Sequence, residues 1–333
     1  MGEFLSSPIK DKDSADGENK NIRYGSCGMQ GWRKRMEDAH ITDLDKGPSK
    51  QTQIFGVFDG HGGCEVAKYV SNHFVEEFLK NPNYKKNDIK KALEENYITM
   101  DKLMLEKEGS EELLNEYKKS KEESEKIKEN NKNAQIEMLR QVIDPKEQPD
   151  AKISMFTGCT ACVLVVHDNK LYFANAGDSR SVLCKKGQAF PMSIDHKPSI
   201  PAELKRIEKA EGWVSDGRIL GNLNISRGIG DSEYKLNKKL KPEEQIISNF
   251  PDVKIENFNN DIDFVVIACD GIWDCKTNQE VCDFFMNKFK KEPNAKISKL
   301  IEDLFDEIIA PDVYTDTGVG CDNMSCIVIQ FKH

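Results

Sequence analysis

Carboxylates at the ends of apolar runs are the first feature of this 333-residue sequence that could do chemistry. The run Ile54-Phe55-Gly56-Val57-Phe58 stops at Asp59, Asn175-Ala176-Gly177 stops at Asp178, and Ala268-Cys269 stops at Asp270. A last apolar run is preceded by Asp322-Asn323, and Glu37-Asp38 stands between Met36 and Ala39. A carboxylate adjoining a buried hydrophobic segment is costly unless it is paired, hydrogen-bonded or bound to a metal. One such acid is usually a cap or a turn former. Four in one chain point to a shared purpose. Acidic oxygens gathered at strand ends are what hard cations such as Mg2+ or Mn2+ require. Gly60 adds a carbonyl that a cation can approach, because no side chain blocks it.

These acids need elements to hold them. The segment Asp59-Gly60-His61-Gly62-Gly63 reads as a glycine-rich turn after a buried strand. Val66, Tyr69, Val70, Phe74 and Phe78 then recur at helical spacing. Runs at 160–166 and 171–176 flank His167-Asp168-Asn169-Lys170, a hairpin turn, and further strand-like runs lie at 264–269 and 325–331. Helical patterns cover 202–210, 280–289 and 297–309. Strands joined by hairpins and flanked by helices favour an α+β architecture over a parallel one. Residues 1–22 are polar and without period, and read as a flexible tail. The stretch 106–150, rich in Glu, Lys, Asn and Gln, reads as a charged insertion, either a solvated spacer or a partner-docking arm. Its middle, 118–133, suits an exposed helix or disorder.

Composition excludes several classes. A net charge of −9 gains nothing from counterion release, so nucleic acid is not an expected partner. No stretch approaches the roughly 20 apolar residues of a membrane span, and the N-terminus lacks a signal peptide. Cytosol or nucleus is the expected compartment. Ten cysteines are too few for a disulfide scaffold at this length. Cys159 and Cys162 have C-x-x-C spacing but no second pair nearby, which argues against zinc. Gly2 with Ser6 fits a loose N-myristoylation pattern, against which Glu3 counts; a single acyl chain would give only weak membrane association. Monomer is the default oligomeric state.

Eight motifs then carry a resemblance. They are Gly31-Trp32-Arg33 with Met36-Glu37-Asp38-Ala39-His40, Phe58-Asp59-Gly60-His61-Gly62-Gly63, Thr157-Gly158-Cys159-Thr160-Ala161, and Asn175-Ala176-Gly177-Asp178-Ser179-Arg180. After them come Asp195-His196-Lys197-Pro198, Ser226-Arg227-Gly228-Ile229-Gly230-Asp231, Ala268-Cys269-Asp270-Gly271-Ile272-Trp273-Asp274 and Asp322-Asn323-Met324-Ser325. In this order they resemble the type-2C, metal-dependent protein phosphatase family, over about 23–331 of the chain. The resemblance implies one catalytic domain over 23–333, a β-sandwich of two antiparallel sheets with helices on both outer faces. It implies two Mg2+ or Mn2+ ions, one held by Asp59, Asp270 and Asp322, the other by Glu37, Asp59 and the Gly60 carbonyl. Asp178 and Asp274 match a third, weaker site found in some members. The implied reaction is attack of an activated water on phosphoserine or phosphothreonine of phosphoprotein substrates, without a covalent intermediate. Asp38 would orient that water, Arg33 would grip the phosphoryl oxygens, and His61 would protonate the departing oxygen. Substrate choice is expected in the surface around 193–213 and in the charged insertion.

The chain departs from the family pattern at Gly228, where alanine is usual, and at Lys34 and Arg35, which make the phosphate end more basic. No ligand is missing, which weighs against an inactive relative serving as a phosphoprotein-binding module. A cysteine-dependent phosphatase is the rival enzyme class, since Cys27 to Arg33 satisfies C-x5-R. Ser26 and Lys34 stand where that class needs other residues. Glycine-rich nucleotide loops are missing, and with them the case for a kinase or ATPase.

Overall fold

A computed structural model describes residues 4–47, 51–130, 152–314 and 318–332. Two antiparallel sheets form its centre. The first has the order β1 (Phe4–Glu18), β2 (Ile22–Arg33), β16 (Met324–Phe331), β15 (Ile262–Ala268), β9 (Arg180–Lys185) and β10 (Gln188–Pro191). The second runs β14 (Asp252–Asn257), β8 (Lys170–Ala176), β7 (Ala161–His167), β4 (Thr52–Phe58) and β3 (Ala39–Lys46). The expected hairpin closes β7 onto β8, with Asp168 and Asn169 both at positive φ, as a type I′ turn demands.

Period-two alternation divides each central strand between two cores. Phe55 and Val57 of β4 meet Val265 and Ile267 of β15 and Ile327 and Ile329 of β16 between the sheets. Ile54 and Phe58 point the other way, toward α1 (Glu65–Lys80), the short α2 (Pro82–Lys85) and α3 (Ile89–Leu105). On the opposite outer face Phe264 and Val266 pack with α7 (Asn278–Lys291) and α8 (Ile297–Ile308). Strands covered on both faces have no polar side, which is why they read as unbroken apolar runs. Each fully buried Phe or Ile contributes roughly 1.5–3 kcal/mol. The layers are helix, sheet, sheet, helix, in the α+β class read from the pattern and with the layering that the resemblance implied.

The expected flexible tail needs correction. Phe4–Glu18 is a 15-residue strand paired antiparallel with β2. Its outward side chains are anchored on α8: Lys12 to Asp306 at 2.7 Å, Ser14 to Glu302 at 2.8 Å, and Asp16 to the Ser298 backbone at 3.0 Å. Polar, charged residues are what a protected sheet edge carries, so the composition suits an edge strand as well as a loose tail. Gly2 lies outside the described residues, and lipidation with it. Of the charged insertion, α4 (Lys107–Asn130) is a helix seated on the α1 face through Leu113 and Tyr117, and 131–151 lies outside the described residues.

Three two-residue strands complete the site end: β5 (Gly60–His61), β6 (Gly158–Cys159) and β13 (Ile229–Gly230), in the order β13-β6-β5. Between β10 and β13 lie α5 (Pro201–Lys209) and a hairpin of β11 (Val214–Ser215) and β12 (Arg218–Ile219).

Candidate metal centre and active site

The strand-end acids converge. Asp59 follows β4, Asp178 follows β8, Asp270 follows β15 by one residue and opens α6 (Asp270–Trp273), and Asp322 precedes β16. Carboxylate atoms of Asp59, Asp178 and Asp270 lie within 4.8 Å of one another, and so do ligand atoms of Asp38, Asp59 and Cys269. Asp59 belongs to both groups. Glu37, Asp274 and Asp322 fall in neither.

Glu37 reaches the site through its backbone. Its carbonyl oxygen sits 2.2 Å from where a Cβ on Gly60 would be, so only glycine fits there. Asn323 ties the segment down: its Oδ1 accepts from Glu37 N at 3.0 Å, and its amide donates to the carbonyls of Gln30 and Arg35 at 2.8 and 3.0 Å. Thr160 Oγ1 accepts from Asp59 N at 3.1 Å, and Thr160 N donates to the Asp59 carbonyl at 2.9 Å. Sequence reasoning did not assign roles to Asn323 or Thr160, although both stood in quoted motifs.

Electrostatics mark the cluster. Burial pushes the Asp38 carboxyl up to about 7, and the charge of Asp322 adds to the effect. Asp59 is raised well above the usual carboxylate range by burial first, then by Asp38, Asp270, Asp178 and Asp322. Asp270 is raised likewise, by burial and then by Asp178, Asp322 and Asp274. Like charges crowded in low dielectric resist ionisation. Arg33 Nη2 donates to Asp322 Oδ2 at 2.6 Å, and although burial opposes its charge, Asp322, Asp59 and Asp270 hold the guanidinium firmly protonated. Lys197 donates to Asp178. His61 Nε2 lies 2.7 Å from Asp231 Oδ2, and the carboxylate outweighs burial in raising the imidazole.

The residues present fit divalent cations. The donors are mostly oxygens, Asp38 Oδ2 is buried without a hydrogen-bond partner, and Gly60 leaves room that any side chain would fill. The rival cysteine does not fit its role. Cys27 is buried on β2, and burial pushes its thiol up to about 11, far from a nucleophilic thiolate. Cys159 and Cys162 are buried singly on β6 and β7, outside either ligand group.

Comparison with known proteins agrees. The sequence profile described as Protein phosphatase 2C matches residues 22–317. The chain belongs to the protein phosphatase 2C family. Members are metal-dependent protein serine/threonine phosphatases, and this chain is one of them. Its similar relatives include "Probable protein phosphatase 2C 3" of Paramecium tetraurelia, 42% identical over 334 residues and 100% of both chains. Another is "Probable protein phosphatase 2C 21" of Arabidopsis thaliana, 43% identical over 350 residues, covering 100% of this chain and 93% of that relative. Among solved structures, a Toxoplasma gondii phosphatase superposes with a TM-score of 0.66 at 21% identity, covering 96% of each chain. A serine-threonine phosphatase 2C of the same organism gives 0.64 at 17%, covering 100% of each. These two support the family's fold.

A second charge cluster lies in the same protein phosphatase 2C motif set. Glu203 on α5 accepts from Arg206, from Arg227 Nη2 at 2.6 Å and from Ser226 Oγ at 2.7 Å. Arg227 also reaches Asp252 at 2.9 Å, and His196 Nε2 lies 3.1 Å from the same carboxylate. Burial alone would raise Glu203, but Arg227 and Arg206 overcome it and hold the carboxyl at about 2.

Proposed function

We propose that this phosphatase holds two Mg2+ or Mn2+ ions with Glu37, Asp59, the Gly60 carbonyl, Asp270 and Asp322, and with them hydrolyses phosphoserine and phosphothreonine in proteins. One observation carries the reading: carboxylates of Asp59, Asp178 and Asp270, from the ends of three separate strands, meet within 4.8 Å, and burial with like charge pushes Asp59 and Asp270 well up. When bound, such cations supply a water of lowered pKa and neutralise phosphoryl charge.

The chain's own residues do the rest. Arg33, already among the acids, offers a planar fork to the phosphoryl oxygens. Asp38 orients the attacking water, and Asp178 with Asp274 suits a weaker third cation. His61 hands a proton to the departing serine or threonine oxygen, an effect typically worth 10²–10⁴-fold. The reading extends to a reducing compartment, cytosol or nucleus, supported by ten unpaired cysteines. It also takes in weak membrane association through a lipid on Gly2.

Phosphate release from a phosphothreonine peptide tests the centre. Turnover should appear with Mg2+ or Mn2+, vanish on chelation and return on readdition. Full turnover in chelator would sink the assignment.

A further inference from the structure

Two motifs, Thr157-Gly158 and Gly230-Asp231, have no part in binding cations, yet both lie against His61. The small sheet aligns His61 opposite Gly158 and Gly158 opposite Gly230. Asp231 thus reaches across the middle strand to His61, with Oδ2 2.7 Å from Nε2. The hydrogen bond passes over Gly158. A Cβ there would lie 2.3 Å from Asp231 Oδ2 and 2.8 Å from His61 Nε2, so glycine is what leaves the bond intact.

Asp231 is itself tightly placed. Its backbone is left-handed, at φ 48°, a conformation unusual for a residue with a side chain. Its N–H donates to the Thr157 carbonyl at 3.0 Å. Next to it, Gly230 N donates to Asp101 Oδ1 at 2.7 Å. Asp101 is buried on α3, and its other oxygen accepts from Lys235 Nζ at 2.6 Å and Asn249 Nδ2 at 2.7 Å. Lys235 also donates to the Gly228 carbonyl at 2.8 Å. A buried carboxylate from a distant helix therefore fixes both sides of the turn that presents Asp231.

We propose that Asp231 is the positioning residue for His61, holding Nε2 so that Nδ1 delivers the proton, and that Asp101 anchors the Asp231 turn. This rests on the phosphatase reading above. The step balances. As the bond from phosphorus to the serine or threonine oxygen breaks, its electron pair stays on that oxygen, which takes the Nδ1 proton. The imidazolium becomes neutral imidazole, with its Nε2 proton still in the bond to Asp231.

Kinetics of the full chain with Mn2+ test this on two substrates. p-Nitrophenyl phosphate expels a phenolate that needs no proton, whereas a phosphothreonine peptide expels an alkoxide that does. Asp231→Asn should lower kcat for the peptide about 10²-fold with KM unchanged, and lower p-nitrophenyl phosphate turnover by no more than about threefold. Mn2+ affinity by calorimetry should match wild type. In a His61→Ala background, Asp231→Asn should add no further loss. Asp101→Asn should show the same split between substrates, more weakly. Should Asp231→Asn not fold, Gly158→Ala, which blocks the same bond, carries the comparison. Equal losses on both substrates, or additive losses in the double variant, would overturn the proposal. A wild-type protein without metal-dependent turnover of either substrate would instead overturn the phosphatase reading.

Discussion

Glu203 is buried and Asp59 half-buried, and their surroundings are opposite. Glu203 is met by two guanidinium groups and a hydroxyl, and its carboxyl is held at about 2. Asp59 faces Asp38, Asp178, Asp270 and Asp322, and its carboxyl is pushed well up. The protein can pair a buried acid fully when structure is all that is required. At Asp59 like charges prevail, and on the reading proposed above that shortfall of positive charge would give a metal ion its differential affinity. A satisfied acid holds the fold together, whereas a frustrated one waits for a ligand.

The sharpest way to break this contrast is Asp59→Asn. Metal-dependent turnover should fall on the order of 10³-fold, while thermal stability of the metal-free protein should rise as like-charge repulsion is relieved. A drop in metal-free stability would place Asp59 with the structural acids. Glu203→Gln should behave inversely, costing about 3 kcal/mol in denaturant titrations by leaving Arg206 without its carboxylate and Arg227 with Asp252 alone. The pH dependence has a definite sign. Because the folded-state pKa of Glu203 lies below the usual 4.5, its stabilisation is complete above that value and is lost as pH falls toward about 2. Glu203→Gln should flatten that acid limb. Saturating Mg2+ or Mn2+, at a hundredfold over Kd, should stabilise wild type by about 2.7 kcal/mol and Asp59→Asn by far less. Cys27→Ser should change turnover by less than about twofold, since nothing at the centre uses that thiol.

Much of this was legible in the sequence. Acids such as Asp59 and Asp270 could be picked out because each ends an apolar run, and a strand buried on both faces announces itself by that run. The glycine-rich turn after Phe58 was equally plain. The N-terminal strand was not, because β1 draws its stability from β2 and from polar contacts to α8, and carries almost no apolar pattern of its own. The His61 support was hidden for another reason. Asp101, Gly158 and Asp231 come from three separated segments, and only the pairing of two-residue strands brings them together.

The position of β16 has a practical consequence. The last strand in the chain is an interior strand of its sheet, hydrogen-bonded to β2 on one side and β15 on the other. A fragment trimmed to 22–317 would lose this strand, Asp322 and the covering edge β1 together. It would leave both borders of β2 and one border of β15 bare and ready to recruit other molecules, so such a trimmed protein should precipitate rather than report weak enzyme.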